Sequence, residues 1–73
     1  MSFTLKQAKY FVGVAEHGSF SRAATELAIS QSTLTEAVKD LEAYLGLKLF
    51  ERRRRGVEMT HHGHVFIRHA KSI

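Results

Sequence analysis

Between Phe20 and Gly46 two apolar-periodic segments stand a few residues apart, and the second opens on an almost wholly polar turn. The first is Ser21-Arg22-Ala23-Ala24-Thr25-Glu26-Leu27, the break is Ala28-Ile29-Ser30, and the second runs from Gln31 to about Leu45. Small inward residues in the first, Ala23 and Ala24, let a crossing helix come close. Four consecutive arginines, Arg52 to Arg55, follow directly behind. A short reading helix with a basic hairpin after it is the pattern of a winged helix-turn-helix, whose implied use is to bind duplex DNA.

Seventy-three residues make one small domain. A chain of this size buries only roughly 60–65% of the surface it exposes when unfolded, so its core is thin. The hydrophobic fraction of 44% is nevertheless that of a globular chain. With no cysteine there is no disulfide framework and no cysteine metal knuckle. With no proline, serine, threonine and glycine must mark the segment boundaries. No stretch of about 18 apolar residues occurs and the start lacks a secretory pattern, so a cytoplasmic, nucleoid-associated location without membrane contact is expected. The net charge of +4 favours a polyanionic partner. The arginines are clustered while the seven acids are spread out, and a local cationic patch attracts phosphate even on a modestly basic molecule.

The periodicity predicts a mainly α fold: a three-helix core, a two-stranded β wing and a C-terminal linker helix. Thr4-x-x-Gln7 fits a capping box for the first helix. Leu5, Ala8, Phe11, Val12 and Ala15 form its apolar stripe, widened by Tyr10 and Val14, and Gly18 suits its end. Ser19 and Ser21 can each cap the second helix, with Ala23, Ala24 and Leu27 facing inward. Ser30 caps the third, where Leu34, Val38, Leu41 and Leu45 make the inward stripe and Gly46 ends it. Leu47 to Arg52 reads as a strand, Gly56 as the turn, and Val57 to Thr60 as the return, with Phe50, Val57 and Met59 packing on the helices. Thr60 reads as the cap of a last helix whose stripe of Val65, Phe66, Ala70 and Ile73 is too short to stand alone. These four are the expected dimerisation residues.

The outward face of the third helix gathers Gln31, Ser32, Thr33, Thr35, Glu36 and Lys39 in the turns that meet base edges in a major groove. Gln31 can pair bidentately with adenine, a threonine methyl can lie on thymine, and Glu36 can accept from a cytosine amino group. Ser30 and the free N–H groups beside it can hold a phosphate, and Lys39 adds a backbone contact. Any amphipathic helix has a polar face, so the arginine run carries much of the weight. Arg52, Arg53, Arg54 and Arg55 at a hairpin can enter a narrow minor groove or clamp phosphates. A strand alternates faces, so not all four can point one way. Arg54 and Arg55 are the better tip candidates, and Arg52 can hold phosphate or brace the hairpin.

His61, His62, His64 and His69 show no i, i+4 pair, so solvated or interface histidines are expected rather than a metal site, and no cofactor is expected. Catalysis has no foothold either. There is no cysteine nucleophile, the serines stand at caps or on polar faces, and no glycine-rich phosphate loop occurs.

Taken in order, these residues resemble the DNA-binding domain of a LysR-type transcriptional regulator. The opening is Gln7-x-x-Tyr10-Phe11-x-x-Val14-Ala15-Glu16-x-Gly18-Ser19-Phe20-Ser21-x-Ala23-Ala24, and Leu27-x-Ile29-Ser30-Gln31 leads to the reading helix. Leu41-Glu42-x-x-Leu45-Gly46-x-x-Leu49-Phe50-x-Arg52 enters the wing, and Arg55-Gly56 with Thr60-x-x-Gly63 closes it. The resemblance implies a bacterial regulator that reads an interrupted palindromic operator as a homodimer, often as a dimer of dimers (a tetramer) in the full-length protein. It places base contacts at Gln31, Ser32, Thr33, Thr35 and Glu36, and backbone contacts at Ser30, Arg52 and the wing arginines. The chain departs from the family pattern at Ser32, where proline is usual, and at Thr33, Glu36, Ala28 and His62. Residues 1–59 are expected to form the DNA-binding domain, with the helix-turn-helix at about 20–39 and the wing at about 48–59. Residues 60–73 are expected to begin the linker helix. The effector-binding domain that normally follows is expected to be absent, so a small-molecule effector would act only through it. The rival expectation is a winged-helix protein-interaction module that touches no nucleic acid.

Overall fold

The computed structural model describes residues 3–72. In chain order these form α1 (Leu5–His17), α2 (Phe20–Leu27), α3 (Gln31–Leu45), β1 (Phe50–Arg53), β2 (Gly56–Met59) and α4 (His61–Lys71). The helix boundaries follow the local chemistry closely. The Thr4 side chain accepts from the Gln7 N–H while the Gln7 side chain accepts from the Thr4 N–H, a complete capping box. Gly18, left-handed at φ 64, reverses the chain into α2 within two residues. Ser19, not Ser21, caps α2 by accepting from the Arg22 N–H. Ser30 and Thr60 cap α3 and α4 as expected.

The first strand sits later and is shorter than the residue pattern predicts, and the second begins and ends one residue earlier at the same length. Leu47 N–H bonds back to the Glu42 carbonyl at 3.2 Å, and the Leu49 N–H bonds the Glu42 carboxylate at 2.8 Å. Residues 47–49 are thereby spent on closing α3, and the ladder begins only at Phe50. At the far end Thr60 leaves the ladder because its hydroxyl caps α4. The turn itself is Arg54-Arg55, and Gly56 opens β2 at φ 123. A Cβ at Gly56 would collide with the Gly18 carbonyl oxygen, so a glycine is needed there for close approach as well as for its backbone angle.

Two buried clusters share α1 and α3. Ala8, Phe11, Leu41, Leu49 and Ala70 form one, and Val14, Ala23, Ala24, Leu34 and Val38 form the other. Phe50 packs on both, with its ring centroid 5.2 Å from Phe11 and 5.8 Å from Phe20. The stripe of α1 is therefore rotated from the expected one. Leu5 is 52% exposed while Val14 is fully buried, because α1 is packed by helices from more than one side.

The last helix also differs from expectation. It lies against α1, so half of its apolar stripe is covered by its own chain. Ala70 is buried, and the Phe66 ring meets Phe3 at 5.5 Å and Phe11 at 5.4 Å. Ala70 is thus a core residue of this chain, and Phe66 packs largely against the same core. Val65 remains 47% exposed, and Ile73 lies outside the described residues.

Candidate nucleic-acid interface

The roll of α3 about its axis is fixed by Leu34, Val38 and Leu41, all essentially without solvent contact. That leaves Gln31, Ser32, Thr33, Glu36 and Lys39 exposed, with Thr35 half-buried at the margin. The cap arranges the hydroxyls at this end. Ser30 Oγ accepts from the Thr33 N–H at 3.1 Å and donates to Thr33 Oγ1 at 2.7 Å. The Ser30 hydroxyl, expected to hold a phosphate, is therefore committed to the helix start. The N–H groups of Gln31 and Ser32 have no partner among the described residues, as the first turn of any helix requires. An anion at this point meets both those donors and the positive end of the helix dipole.

Lys6, Gln7 and Tyr10 of α1 line one shallow groove together with Ser32, Thr33, Glu36, Ala37 and Asp40 of α3. Lys6 thus stands beside the polar turns of α3, a placement the sequence did not reveal. Nothing in its local pattern says which helix the first turn of α1 will flank.

The hairpin pairs Phe50 with Met59, Glu51 with Glu58, Arg52 with Val57 and Arg53 with Gly56. Alternation puts Phe50, Val57 and Met59 on the face packed against the helices, and Glu51, Arg53 and Glu58 on the other. Arg53 bonds Glu58 through Nε at 2.8 Å and Glu51 through Nη2 at 2.9 Å. The hydrogen bond to Glu58 and its charge, with the charge of Glu51 behind them, raise the Arg53 pKa above its ordinary value. Arg52, Arg54 and Arg55 are exposed and have no acid within 4.0 Å among the described residues.

What positions the hairpin against α3 is a residue whose role nothing in its own stretch of sequence marks. The half-buried Glu42 carboxylate, near the end of α3, accepts from the Leu49 N–H at 2.8 Å and from the Phe50 N–H at 3.4 Å. The Val57 N–H bonds the Gly18 carbonyl at 3.0 Å, and the Thr60 hydroxyl donates to the Lys48 carbonyl at 2.6 Å. The root of the wing is so tied to α1, α3 and α4 at once. The two groups of expected contacts, those at the start of α3 and the arginines, share no hydrogen bond or ion pair among the described residues. They are linked through this scaffold.

Comparison with known proteins gives a consistent result. The model of a family described as "Bacterial regulatory helix-turn-helix protein, lysR family" matches residues 5–64. The HTH-type transcriptional regulator TfdT of Cupriavidus pinatubonensis is 49% identical over 69 residues, which is 94% of this chain and 30% of that protein. The chain spans less than a third of the length of that relative. The crystal structure of the CbnR_DBD-DNA complex matches with a TM-score of 0.91 and 43% identity, covering 94% of this chain and 79% of that one. The BenM_DBD/catB site 1 DNA complex matches with a TM-score of 0.90 and 40% identity, covering 94% and 78%. Among the described residues no helix is long and apolar enough to cross a membrane.

Proposed function

Because the chain belongs to the bacterial lysR family of regulatory helix-turn-helix proteins, we propose that it is the sequence-specific duplex-DNA-binding module of a transcription regulator, working as a homodimer on an interrupted palindrome. The observation that carries this is the exposed polar start of α3, held at a fixed roll by its buried face and joined through Glu42 to a hairpin with cationic residues at its turn. Its likeness to two domains crystallised with DNA supports the reading. No part of it calls for catalysis.

In this reading Gln31, Ser32, Thr33, Thr35 and Glu36 meet base edges. The backbone N–H groups at the helix start, Lys39, Arg52, Arg54 and Arg55 meet phosphates. Arg53, tied to two carboxylates, is set apart from this group. Residues 60–73 begin the linker helix, with Val65 on its open side as the contact to the second subunit. The module acts on chromosomal DNA in the cytoplasm, and any small-molecule effector is sensed by a separate domain.

Selection of bound sequences from a random duplex pool at stated salt tests the proposal. About three or four phosphates neutralised per subunit give about six to eight per dimer, and a log–log salt slope of roughly −5 to −7. Gln31→Ala should relax base preference at one position of each half-site. Equal losses on every sequence would remove the base-reading role of Gln31. Failure to enrich any sequence, with no salt dependence, would remove the function.

A further inference from the structure

We propose that Arg53 is a positioning residue of the wing and not one of its DNA contacts, its task being to shield two carboxylates that the strand register forces against each other. This deepens the proposed function and rests on it. The register sets Glu51 directly opposite Glu58. Directly opposed residues of an antiparallel pair have their Cβ atoms only about 4.5–5.5 Å apart, and like charges in that position repel. Arg53, two residues along the same strand from Glu51, shares their face and reaches both. Its Nη2 lies 2.9 Å from Glu51 Oε1 and 2.8 Å from Glu58 Oε1, and its Nε also donates to Glu58 Oε1. One guanidinium thereby bridges both strands just before the turn.

The arrangement divides the four arginines by task. Glu51, Arg53 and Glu58 together carry a net charge of −1, so the outward face of the strands repels a phosphate backbone. Were Arg53 to swing onto a phosphate, it would uncover two carboxylates beside a polyanion. The turn, Arg54-Arg55, and Arg52 on the other face have no such partners among the described residues and remain available. The wing therefore meets DNA with its turn and with the exposed Arg52 side chain, not with the Glu51–Glu58 face. A single exposed ion pair contributes little, but a shared fork that relieves an enforced like-charge contact is a network, and it acts on geometry.

A double-mutant cycle tests this, with Arg53→Ala made in the parent chain and in a Glu51→Gln/Glu58→Gln background. In the parent, Arg53→Ala should lower the melting temperature of the DNA-free protein and weaken duplex binding, while the salt slope stays unchanged. In the double-glutamine background the same change should leave the melting temperature essentially where that background has it and the affinity within about twofold, because no repulsion is left to shield. Arg54→Ala is the comparison and should flatten the slope by about 0.9 per subunit. The proposal is overturned if Arg53→Ala flattens the slope as Arg54→Ala does, or if its effects on melting are the same in both backgrounds. Loss of the proposed function would look different: the parent chain would bind no duplex at any salt, while the melting cycle would still decide whether Arg53 is coupled to the two glutamates.

Discussion

Replacing Glu42 with alanine should uncouple the wing from the reading helix. The Glu42 carboxylate is the acceptor for the N–H of Leu49, a residue with no solvent exposure, at 2.8 Å, and it also takes a longer bond from Phe50. A hydrogen bond to a charged acceptor contributes about 1.5–3 kcal/mol net, and an orphaned buried N–H loses a similar amount, so a value of about 2 kcal/mol is expected. For a domain of this size the total stability is on the order of 4–11 kcal/mol. The change therefore removes a large share of it, and at about 4–8 °C per kcal/mol the melting temperature should fall by about 8–16 °C. Glu42→Gln keeps a carbonyl acceptor and loses only the charge, so it should fall by about half as much. Thermal unfolding followed by circular dichroism gives the magnitude, and native-state hydrogen exchange at the Leu49 amide locates it. Binding should weaken more than the melting data alone require, since a loosened hairpin must be re-ordered on the duplex. If Glu42→Ala unfolds within about 0.5 kcal/mol of the parent, as surface changes do, with the Leu49 amide still protected, the carboxylate is not the tie described.

Four other outcomes are expected. Ala28 is left-handed at φ 59, a conformation that strains a Cβ by about 1–2 kcal/mol, and glycine gives back part of that in the unfolded chain. Ala28→Gly should therefore stabilise by about 0.5–1 kcal/mol in a denaturant titration, and a loss would show that the strain is absent. Ala24 is buried where α2 meets α3, so Ala24→Leu should destabilise by about 1–3 kcal/mol by the same titration, and a neutral result would mean the helices have slack. Gly63→Ala sets a Cβ against the Leu49 carbonyl oxygen and Met59, so it should shift α4 and cost about 1–3 kcal/mol, or more where the backbone cannot give, read by melting. Val65→Asp, on the open side of α4, should leave melting at low concentration unchanged and shift sedimentation equilibrium toward monomer; an unchanged mass distribution would place the subunit contact elsewhere.

The helix starts and stops were legible because they are written locally. A threonine, a serine and a glycine at Thr4, Ser30 and Gly46 act through hydrogen bonds and backbone angles a few residues away, and the structure bears each of them out. The inward stripe of α3 was legible for the same reason, since a buried face repeats at the helical period. The exposed polar start of that helix followed at once from its buried side. Other features were not legible, and they share a cause. The choice of Ser19 over Ser21 depends on where Gly18 turns the chain. The exposure of Leu5 and the burial of Val14 depend on how many neighbours α1 has. Ala70 and Phe66 looked destined for a second subunit because the sequence does not say that α4 lies back on α1.

By itself the sequence determined the order and nature of the elements, the polar start of α3 and the presence of a basic hairpin, because periodicity, caps and charge runs act over a turn or a few residues. Only the tertiary structure decided how those parts are divided in use. Glu42 became the tie between helix and wing because residues seven and eight apart in the chain were folded together. Arg53 was separated from its three neighbours because the strand register, which no single strand can set, placed Glu51 across from Glu58.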